Sequence, residues 1–460
     1  MLKNKTPMPL QPADVRKKNF DEVALGYSRE DALREASRCL MCKNRPCVAG
    51  CPVEIDIPAF IQLIKEERFI ESYEKIKETN FLPAVCGRVC PQEKQCAAVC
   101  TLGIKNEAVA IGRLERFAAD YAEKAPAEKK PFAATGKISA AVIGSGPAGL
   151  TAAGELARSG FRVTVFEALH EAGGVMVYGI PEFRLPKSVV KKEIDDLRAM
   201  GVDFRLGYLI GRIKTIKSLF AEGYSAVFIS TGAGLPRFMG IPGENSNGVY
   251  SANEFLTRIN LMKSYRFPEY ATPLKKIRNV VVVGGGNVAM DSARCAIRMG
   301  AENVYNVYRR TRDEMPARLE EVEHAEEEGV IFRFLMNPVE IEAGADGAVT
   351  RVKCVKMKLG DKDESGRARP VEIPGDYEWI EADTLVSAIG VMANPLLKDT
   401  SEGLKFNKRG YIEIDPDTFE TSIKNVYAAG DIVSGAATVI SAMGGGKRAA
   451  DEIVKRFKGK

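Results

Sequence analysis

Eight of the ten cysteines of this chain lie close together near its N-terminus, where their thiolates could bind metal. They form two groups, spaced Cys39-x2-Cys42-x4-Cys47-x3-Cys51-Pro52 and Cys86-x3-Cys90-Pro91-x4-Cys96-x3-Cys100. Clustering of this kind in a reducing compartment favours a metal site over disulfides. Groups that end in Cys-Pro resemble ferredoxin-type iron–sulfur loops, although x4 replaces the familiar second x2. Two zinc sites of four cysteines each could use the same thiolates, so the spacing alone leaves both metals open.

A glycine-rich loop further along the chain has the spacing of a complete dinucleotide fingerprint. Residues 139–150 read SAAVIGSGPAGL, an apolar strand followed by three spaced glycines that open a helix. Gly144 permits the tight turn, Gly146 lets a pyrophosphate approach the backbone, and Gly149 lets helix and strand pack closely. The next strand, FRVTVF, ends at Glu167, whose carboxylate would accept hydrogen bonds from a ribose. Strand, helix and terminal acid together predict nucleotide binding rather than a structural glycine turn.

A second fingerprint lies in the segment NVVVVGGGNVAMD. Gly284, Gly286 and Ala289 occupy its three positions, and alanine is a tolerated variant in third place. The following strand ends in Arg309 and Arg310 instead of an acid, at the point where an adenosine ribose would lie. A guanidinium there favours a 2′-phosphate, and hence NADP(H) over NAD(H). The alternative is a solvated turn of charged residues after a strand.

Two dinucleotide units in one chain point to one resident and one exchanging cofactor, and we expect FAD with NADPH. Hydride transfer between them needs placement and electrostatics from the protein rather than a general base. Two redox cofactors downstream favour iron–sulfur over zinc in the cysteine module. A disulfide reductase would need a cysteine pair beside the flavin, and no cysteine lies between Cys100 and Cys295. Cys295 and Cys354 are predicted to be buried packing residues.

Periodicity indicates the elements that must position these groups. Ser28 and Asp31 predict a capped helix start before the cysteines, and residues 58–79 carry apolar residues at helical spacing. The N-terminal module is therefore predicted to be helical. Residues 122–137 suit a linker, beyond which short β-rich runs alternate with amphipathic segments, as is typical of parallel α/β units. A polar segment at 360–376 predicts a hairpin loop.

Composition is that of a globular protein, with 45% hydrophobic and 28% charged residues and a net charge of +5. Basic residues are interspersed with acidic ones, so neither a nucleic-acid stripe nor a polybasic membrane anchor is visible. The N-terminus lacks the apolar core of a signal peptide, and no apolar run reaches the roughly 18 residues of a membrane span. We therefore expect a cytoplasmic protein with small anionic ligands and protein partners, and no nucleic acid or membrane.

Several motifs, spread over nearly the whole chain, resemble one family. They are CGRVCPQEKQC, VAIGRLERFAADY, VIGSGPAGL, GGVMVYGIPEFRLPK, GGGNVAMD and AAGD. This family contains the small subunit of NADPH glutamate synthase, the N-terminal half of dihydropyrimidine dehydrogenase and the large subunit of NADH-dependent ferredoxin:NADP oxidoreductase. The resemblance implies an α/β fold in which a helical iron–sulfur domain precedes two Rossmann-like domains of glutathione-reductase type. The implied domains are 1–135 for iron–sulfur, 136–270 and 393–460 for FAD, and 271–392 for NADPH.

The resemblance also implies two [4Fe-4S] clusters with crossed ligation. By its sequence context alone, Glu115 would be an ordinary helix-surface acid paired with a neighbouring arginine, but the resemblance makes it a cluster ligand. Cys86 is then the surplus thiol, and an all-cysteine arrangement that uses Cys86 is the alternative. The implied ligands are Cys39, Cys42, Cys47 and Glu115 for the first cluster, and Cys51, Cys90, Cys96 and Cys100 for the second.

The same resemblance implies nucleotide contacts beyond the two fingerprints. Asp431 would hydrogen-bond the ribityl–phosphate region, and a helix starting near Thr438 would point its N-terminus at the flavin. The expected FAD contacts are Gly144, Ser145, Gly146, Pro147, Ala148, Gly149, Glu167, Gly173, Gly174, Val175, Arg184, Gly430, Asp431, Thr438 and Val439. The expected NADPH contacts are Gly284, Gly285, Gly286, Asn287, Val288, Arg309, Arg310, Ala388, Ile389 and Gly390.

We predict an NADP(H)-dependent oxidoreductase in which hydride passes between NADPH and FAD and single electrons move through the clusters. The segments KTPMPLQPADVRKKNFDEVALGY and CKNRPCVAGCPVEIDIP resemble the large subunit of the electron-bifurcating ferredoxin:NADP oxidoreductase. That branch implies a hetero-oligomer with a smaller flavoprotein and iron–sulfur subunit, and ferredoxin as a further partner. The alternative is a glutamate synthase small subunit that donates electrons to an FMN-containing, glutamate-forming subunit. A third interpretation is a redox sensor without turnover.

Overall fold

The computed structural model describes residues 3–125, 136–363 and 366–459, and its first part is a helical domain. Ser28 begins the second helix through a capping box with Asp31, as predicted. The predicted helical stretch 58–79 is two helices, because Glu67 takes the left-handed conformation, with φ +61°, and ends the first of them. The helices are α1 (Ala13–Arg16), α2 (Arg29–Ala36), α3 (Pro46–Ala49), α4 (Ile57–Lys65), α5 (Phe69–Lys77), α6 (Pro83–Val89) and α7 (Ile111–Lys124), with 3₁₀ turns at Gln92–Lys94 and Thr101–Ile104.

An α/β domain follows the predicted linker at 122–137, most of which lies outside the described residues. Its elements are β1 (Ser139–Ile143), α8 (Pro147–Arg158), β2 (Arg162–Phe166), α9 (Val175–Tyr178), α10 (Lys187–Ala199), β3 (Asp203–Arg205), α11 (Ile216–Ala221), β4 (Ala226–Ile229) and β5 (Leu235–Pro236). Strands β1 to β4 form a parallel sheet in the order β4-β1-β2-β3. The first glycine-rich loop leaves the carboxyl end of the central strand β1, where open α/β sheets bind ligands.

A second α/β domain contains the other fingerprint. Its elements are β6 (Val249–Ser251), α12 (Ala252–Asn260), a 3₁₀ turn at Ser264–Arg266, β7 (Asn279–Val283), α13 (Asn287–Arg298), β8 (Asn303–Tyr308), a 3₁₀ turn at Arg312–Glu314, α14 (Leu319–Glu328), β9 (Ile331–Phe334), β10 (Met336–Ala343), β11 (Val349–Lys362), β12 (Ala368–Glu381), β13 (Thr384–Ser387) and β14 (Val391–Met392). Five strands form a parallel sheet in the order β6-β13-β7-β8-β9, and β10-β11-β12 form an antiparallel sheet. The segment 360–376, predicted to be a hairpin loop, covers the end of β11, the connection to β12 and the first part of β12. Within that connection, residues 364–365 lie outside the described part.

β6 lies before residue 271, where the sequence predicts the boundary between the first and second α/β domains. It nevertheless pairs in parallel with β13 and so joins the second sheet. A strand of three residues has too little periodicity to reveal its partner from sequence.

The chain then returns to the first sheet, where β15 pairs in parallel with β4 and α17 packs on α8. The returning elements are α15 (Leu396–Thr400), β15 (Val426–Ala428), α16 (Asp431–Ser434) and α17 (Val439–Lys458). None of the described helices is long and apolar enough to cross a membrane.

A buried ion network joins the N-terminal arm, the segment before α2 that contains α1, to the second α/β domain. Glu328 of α14 accepts hydrogen bonds from Arg16 of the arm at 2.9 Å and from Arg294 and Arg298 of α13 at 2.9 and 2.6 Å. Burial raises the pKa of Glu328, but hydrogen bonds and charge from Arg294 and Arg298 outweigh burial and hold the pKa well below its usual range. Glu328 is therefore ionised in the folded chain, where it balances several buried guanidinium groups.

We expect Glu328→Gln to lower the free energy of unfolding by about 3–5 kcal/mol, because it leaves buried guanidinium groups without a counter-charge. The lowered pKa makes this stabilisation fully present above the unfolded pKa of about 4.3 and lost as pH falls below it. The difference between wild type and variant should therefore shrink in acid. Denaturant unfolding at several pH values measures it. The control is Glu302→Gln, which breaks an exposed pair with Arg278 and should leave the free energy of unfolding nearly unchanged, because solvent screens the pair.

Candidate functional site

The eight clustered cysteines surround two separate cavities. The outer cavity is lined by four cysteines that are all partly exposed: Cys39, Cys42, Cys47 and Cys100. The inner cavity is lined by Cys51, Cys86, Cys90, Cys96 and Glu115, all of them buried. This grouping differs from the implied ligand sets, because Cys100 lies with the first three cysteines and Glu115 lies with the second group.

Close backbone contacts bring distant segments together around the inner cavity. A Cβ at Gly87 of α6 would lie 2.6 Å from the backbone nitrogen of Arg116, so α6 and α7 cross in contact there. The crossing places Glu115 in the same cavity as Cys86 of α6 and Cys90, the residue that follows α6. Likewise, a Cβ at Gly50 would lie 3.2 Å from Cα of Cys96, which brings the residue after Gly50 next to that cysteine. Such contacts between distant segments cannot be deduced from spacing along the chain.

Glu115 is held in the inner cavity by one polar contact. Asn80 Nδ2 donates a hydrogen bond to Glu115 Oε1 at 2.8 Å. Burial raises the pKa of Glu115 to about 8, while the hydrogen bond from Asn80 lowers it. Among the described residues, no three His, Cys, Asp or Glu side chains converge as closely as one metal ion requires. The donors surround cavities instead, and soft thiolates with one carboxylate are a donor set that fits an iron–sulfur cluster.

A large cavity of about 450 Å³ opens at the first glycine-rich loop. Gly144 has φ +100°, and a Cβ at Gly149 would lie 2.0 Å from the carbonyl oxygen of Gly144, so both positions require glycine. No atom lies within 4 Å of where a Cβ at Gly146 would be. That open space is what the approach of a pyrophosphate needs. The predicted FAD residues that line the cavity are Gly144, Ser145, Gly146, Pro147, Ala148, Glu167, Gly174, Val175, Arg184, Gly430, Asp431, Thr438 and Val439.

Two predicted FAD residues lie behind the cavity wall: Gly149, at the helix–strand contact, and Gly173, with φ +124°. Glu167 is already partly engaged, because Ser145 donates to Oε2 from both its backbone nitrogen (2.9 Å) and its hydroxyl (2.5 Å). Its carboxylate thus shapes the loop as well as facing the cavity. Tyr178 and Asn253 also line the cavity. No motif singled out these two side chains, and Tyr178 could have been found only as part of the long GGVMVYGIPEFRLPK match.

Arg184 lies where the two α/β domains meet. Its Nη1 donates to both carboxylate oxygens of Asp291 at 2.7 Å, and its Nε pairs with Glu321 at 3.1 Å. Burial lowers the pKa of Arg184, but the two carboxylates outweigh burial and raise it. Arg184 and Asp291 both line the large cavity, so this ion pair joins the domains at the edge of the site. A contact between Arg184 and FAD stays a prediction.

The C-terminal segment closes the large cavity. Thr438 caps α17 by accepting a hydrogen bond from the backbone nitrogen of Ser441 at 3.2 Å, so the helix begins at the cavity, as expected from the resemblance. An N-terminus of a 20-residue helix favours negative charge. Burial raises the pKa of Asp431, whose Oδ1 accepts a hydrogen bond from the backbone of Ala437. The carboxylate is therefore positioned at the cavity wall by the segment that precedes α17.

The helix that follows the second glycine-rich loop begins at the same cavity, although Gly284, Gly285 and Gly286 are not among the residues that line it. Gly284 has φ +139°, and a Cβ there would lie 2.5 Å from the carbonyl oxygen of Ala388, which brings the segment Ala388–Gly390 against the loop. A Cβ at Gly285 would strike the ring of Tyr308 at 2.5 Å, whereas the position of a Cβ at Gly286 is nearly open. Asn287 and Val288 line the large cavity together with the first loop. The two fingerprints therefore converge, and a nicotinamide bound at the second could face a flavin bound at the first.

The two arginines after β8 differ in their surroundings. Arg310 is buried, and its guanidinium donates to Asp363 at 2.6 Å and to the carbonyl oxygen of Ala368 at 2.7 Å. It therefore ties β8 to the β11–β12 hairpin. Arg309 is exposed, at the end of the strand where the sequence predicts a 2′-phosphate. Within the described part of the chain, the Arg309 guanidinium has no hydrogen-bond or ion-pair partner, unlike that of Arg310. Ile389, another predicted NADPH residue, is likewise exposed.

The large, inner and outer cavities lie in a row. Gln95 Nε2 donates to Thr438 Oγ1 at 3.4 Å, which links the second cysteine loop to the start of α17. Ile440, the second residue of α17, lines the inner cavity, whereas Val439 before it lines the large one, as do Val89 and Pro91 on either side of Cys90. Ile57 and Ile111 line both the inner and the outer cavity. The inner and outer cavities therefore share wall residues, and the large and inner cavities are lined by residues adjacent in sequence.

Residues 16–127 match the family described as dihydropyrimidine dehydrogenase domain II, 4Fe-4S cluster, and residues 138–446 match pyridine nucleotide-disulphide oxidoreductase. The glutamate synthase [NADPH] small chain of Halomonas elongata is 38% identical over 96% of this chain and 94% of its own length. The Escherichia coli small chain is 36% identical, with 97% and 96% covered. The NADP(+)-dependent formate dehydrogenase subunit beta of Moorella thermoacetica is 41% identical over 89% of this chain, which spans only 59% of that relative.

Two solved structures show the same fold. FprA of Mycobacterium tuberculosis in complex with NADPH has a TM-score of 0.57 and 21% identity, covering 70% of this chain and 85% of FprA. T. acidophilum thioredoxin reductase has a TM-score of 0.51 and 24% identity, covering 69% of this chain and 97% of the reductase. At these identities the likeness concerns the fold alone. Among the described residues, no cysteine lines the large cavity. The chain therefore shares the fold of a thioredoxin reductase but has no cysteine pair at this cavity.

The fold and the three cavities define an NADP-dependent flavin and iron–sulfur oxidoreductase, as predicted. The chain belongs to the glutamate synthase small subunit family. Its cofactors are FAD, NADP(H) and a 4Fe-4S cluster, which confirms iron–sulfur over zinc in the cysteine module. The predicted α/β fold with an N-terminal iron–sulfur domain is also confirmed. When bound, the flavin exchanges hydride with NADP(H) and single electrons with the iron–sulfur group.

Two alanine substitutions in the first loop should separate folding from cofactor binding. Gly146→Ala should leave the stability of the apo-protein unchanged, because its Cβ meets open space, but should weaken FAD binding at least about tenfold, or about 1.4 kcal/mol. Gly149→Ala should cost about 3 kcal/mol of stability, because its Cβ would overlap the Gly144 carbonyl. FAD titration and apo-protein melting measure the two effects. Equal loss of stability in both variants would contradict this assignment.

Proposed function

We propose that this chain is the NADPH-oxidising subunit of a glutamate synthase-type complex, and that it delivers electrons through FAD and two [4Fe-4S] clusters to a larger partner subunit. The observation that carries this proposal is the row of cavities from the nucleotide site to the protein surface. The inner cavity is buried beside α17, whereas the outer cavity has partly exposed thiols. Electrons that leave the outer position need an acceptor outside the chain.

The donor sets support one cluster in each cavity. We infer that Cys39, Cys42, Cys47 and Cys100 hold the outer cluster, and that Cys51, Cys90, Cys96 and Glu115 hold the inner one. Each set supplies four ligands, the number that a cubane requires. Apolar side chains are exposed close to the outer cysteines, since Leu40, which follows Cys39, and Ile104, four residues after Cys100, have 41% and 79% of their surface exposed. Exposed apolar side chains beside a redox site are typical of a protein contact surface.

The kind of partner is inferred from the relatives. The chain covers nearly the full length of the glutamate synthase small chains that it resembles, and only part of the formate dehydrogenase subunit. This pattern supports the alternative that the sequence left open, a subunit that serves a glutamate-forming partner, better than the ferredoxin:NADP oxidoreductase that we expected first. A ferredoxin partner is therefore the second candidate, favoured by the partly exposed outer cavity, which a small one-electron carrier could reach.

We expect Arg309→Ala to lower the preference for NADPH over NADH by roughly 10- to 100-fold, because a charge-assisted contact to a phosphate contributes about 1.5–3 kcal/mol. The ratio of kcat/KM for the two nucleotides measures the preference. Arg312→Ala is the matched control, since this nearby exposed arginine pairs with Glu326 and should leave the ratio unchanged. Arg310→Ala should lower stability instead, because it breaks the contacts with Asp363 and Ala368. An unchanged ratio in Arg309→Ala would refute the phosphate assignment.

Purification of the chain from its native source tests the partner. We expect a larger subunit to co-purify, and NADPH-dependent formation of glutamate from glutamine to need both subunits. Recovery of a smaller flavoprotein, with NADPH-dependent exchange of electrons with ferredoxin, would instead establish the second candidate. NADPH oxidation by the isolated chain with an artificial acceptor is the control that excludes a sensor without turnover.

A further inference from the structure

Residues 315–318, which we call the bridge segment, lie between the second glycine-rich loop and the iron–sulfur domain. On the side of the loop, the backbone nitrogen of Ala317 donates to the carbonyl oxygen of Gly285 at 3.1 Å. The backbone nitrogen of Arg318 donates to Oδ1 of Asn287 at 2.9 Å. Asn287 is the first residue of α13 and lines the large cavity. The backbone of the bridge segment therefore supports both the second fingerprint loop and the start of the helix after it.

The bridge segment also borders the space where a pyrophosphate would approach the second fingerprint. The nearest atom from outside the loop to a Cβ at Gly286 would be Cγ of Pro316, 4.0 Å away. The fingerprint predicts that a pyrophosphate contacts the backbone at Gly286. The position of Pro316 thus determines how much room the pyrophosphate has on that side.

Two charged side chains of the iron–sulfur domain hold the bridge segment from its other side. Lys94 Nζ donates to the carbonyl oxygen of Pro316 at 2.9 Å, and Nε of Arg318 donates to Glu93 Oε1 at 3.1 Å. Arg318 also pairs through Nη2 with Glu320 of α14 at 3.2 Å, so both domains hold its guanidinium. The Arg318 side chain is only 11% exposed, and solvent therefore screens its contact with Glu93 less than it screens a surface pair.

We propose that Glu93 and Lys94 are positioning residues for the nicotinamide nucleotide: they hold the bridge segment at the distance from Gly286 that the pyrophosphate of NADP(H) requires. They act through Pro316 and Arg318 and need no contact with the nucleotide. Affinity for NADP(H) is then determined partly by the 3₁₀ turn of the second cysteine group, outside the domain that contains the second fingerprint. The inference rests on the proposed function only in that NADPH binds at this fingerprint, and it does not depend on the partner subunit.

The substitution Glu93→Gln separates positioning from a simple effect of charge. Removal of a negative charge near a phosphate site would by itself tighten the binding of an anion. Loss of the contact with Arg318 should instead weaken it, and we expect the Kd for NADP⁺ to rise roughly three- to tenfold. Calorimetric titration of the purified chain with its cofactors measures the Kd. In NADPH oxidation, KM should rise while kcat stays nearly unchanged.

A matched control and two further variants complete the test. Glu66→Gln makes the same change of charge in a pair with Arg68 that lies within the helical domain, and should leave the Kd unchanged. Lys94→Met should raise the Kd, and Lys94→Arg, which keeps a donor for Pro316, should restore most of the affinity. Iron content, FAD content and melting temperature show that each variant is folded and loaded.

Arg318→Gln breaks the contact with Glu93 from a residue outside the cysteine module, so it should weaken NADP⁺ binding while the iron content stays that of the wild type. In the double variant with Glu93→Gln, the loss should be no greater than in Arg318→Gln alone, because both changes remove the same contact. Unchanged or tighter NADP⁺ binding in Glu93→Gln, or additive losses in the double variant, would overturn the role of Glu93.

Gly286→Ala tests the location of the nucleotide separately. Its Cβ would enter the space of the pyrophosphate, so the Kd for NADP⁺ should rise at least about tenfold. An unchanged Kd in this variant would overturn the placement of NADPH at the second fingerprint, and the positioning role with it. A raised Kd in Gly286→Ala together with an unchanged Kd in Glu93→Gln would overturn the positioning role alone.

Discussion

The close packing of helix α17 is the contact on which the rest of the structure depends. Three consecutive glycines, Gly444 to Gly446, let this helix touch three segments at once. A Cβ at Gly444 would lie 2.5 Å from the carbonyl oxygen of Pro52, and a Cβ at Gly446 would lie 2.2 Å from that of Ala148. The cysteine loop and the helix of the first fingerprint are thus held on opposite sides of one element. Any larger side chain would push the inner cavity away from the large one.

The two cysteine cavities differ chiefly in burial. The thiols of the inner cavity are buried between the helical domain and α17, whereas the outer thiols reach the surface beside exposed apolar side chains. Burial and hydrogen bonding set the reduction potential of an iron–sulfur group, so the two positions are chemically distinct even though their cysteine spacings are similar. In the proposed ligand sets the carboxylate of Glu115 adds to this difference, because it would replace a soft thiolate with a hard oxygen ligand.

Charge fixes the domains relative to one another. The pair of Arg184 with Asp291 joins the two α/β domains at the edge of the large cavity, and the network around Glu328 adds the N-terminal arm. These buried ions stabilise only as complete sets, since a single unpaired charge in the interior is costly. The consequence for function is that the first fingerprint loop and the start of α13, which follows the second, line one cavity, and hydride transfer between two bound nucleotides requires such proximity.

The sequence by itself determined the kind of chemistry and its order along the chain. Gly144, Gly149 and Gly284 occupy positions where local backbone geometry admits no side chain, and such local constraints are visible in spacing alone. Likewise, the capped helix at Ser28 and the burial of Cys295 and Cys354 follow from local pattern, and the structure confirms them. The family motifs extended this to FAD, NADP(H) and iron–sulfur cofactors.

Only the tertiary structure decided how distant residues are grouped. Cys100 lies with the first cysteine group and Glu115 with the second, and the position of Glu115 depends on the crossing of α6 and α7 at Gly87. The different fates of Arg309 and Arg310 depend on a hairpin more than 50 residues further along the chain. Asn80 carries no motif at all, and β6 is too short to show its partner. In each case the deciding contact joins segments far apart in sequence, and no local pattern encodes which of them will meet.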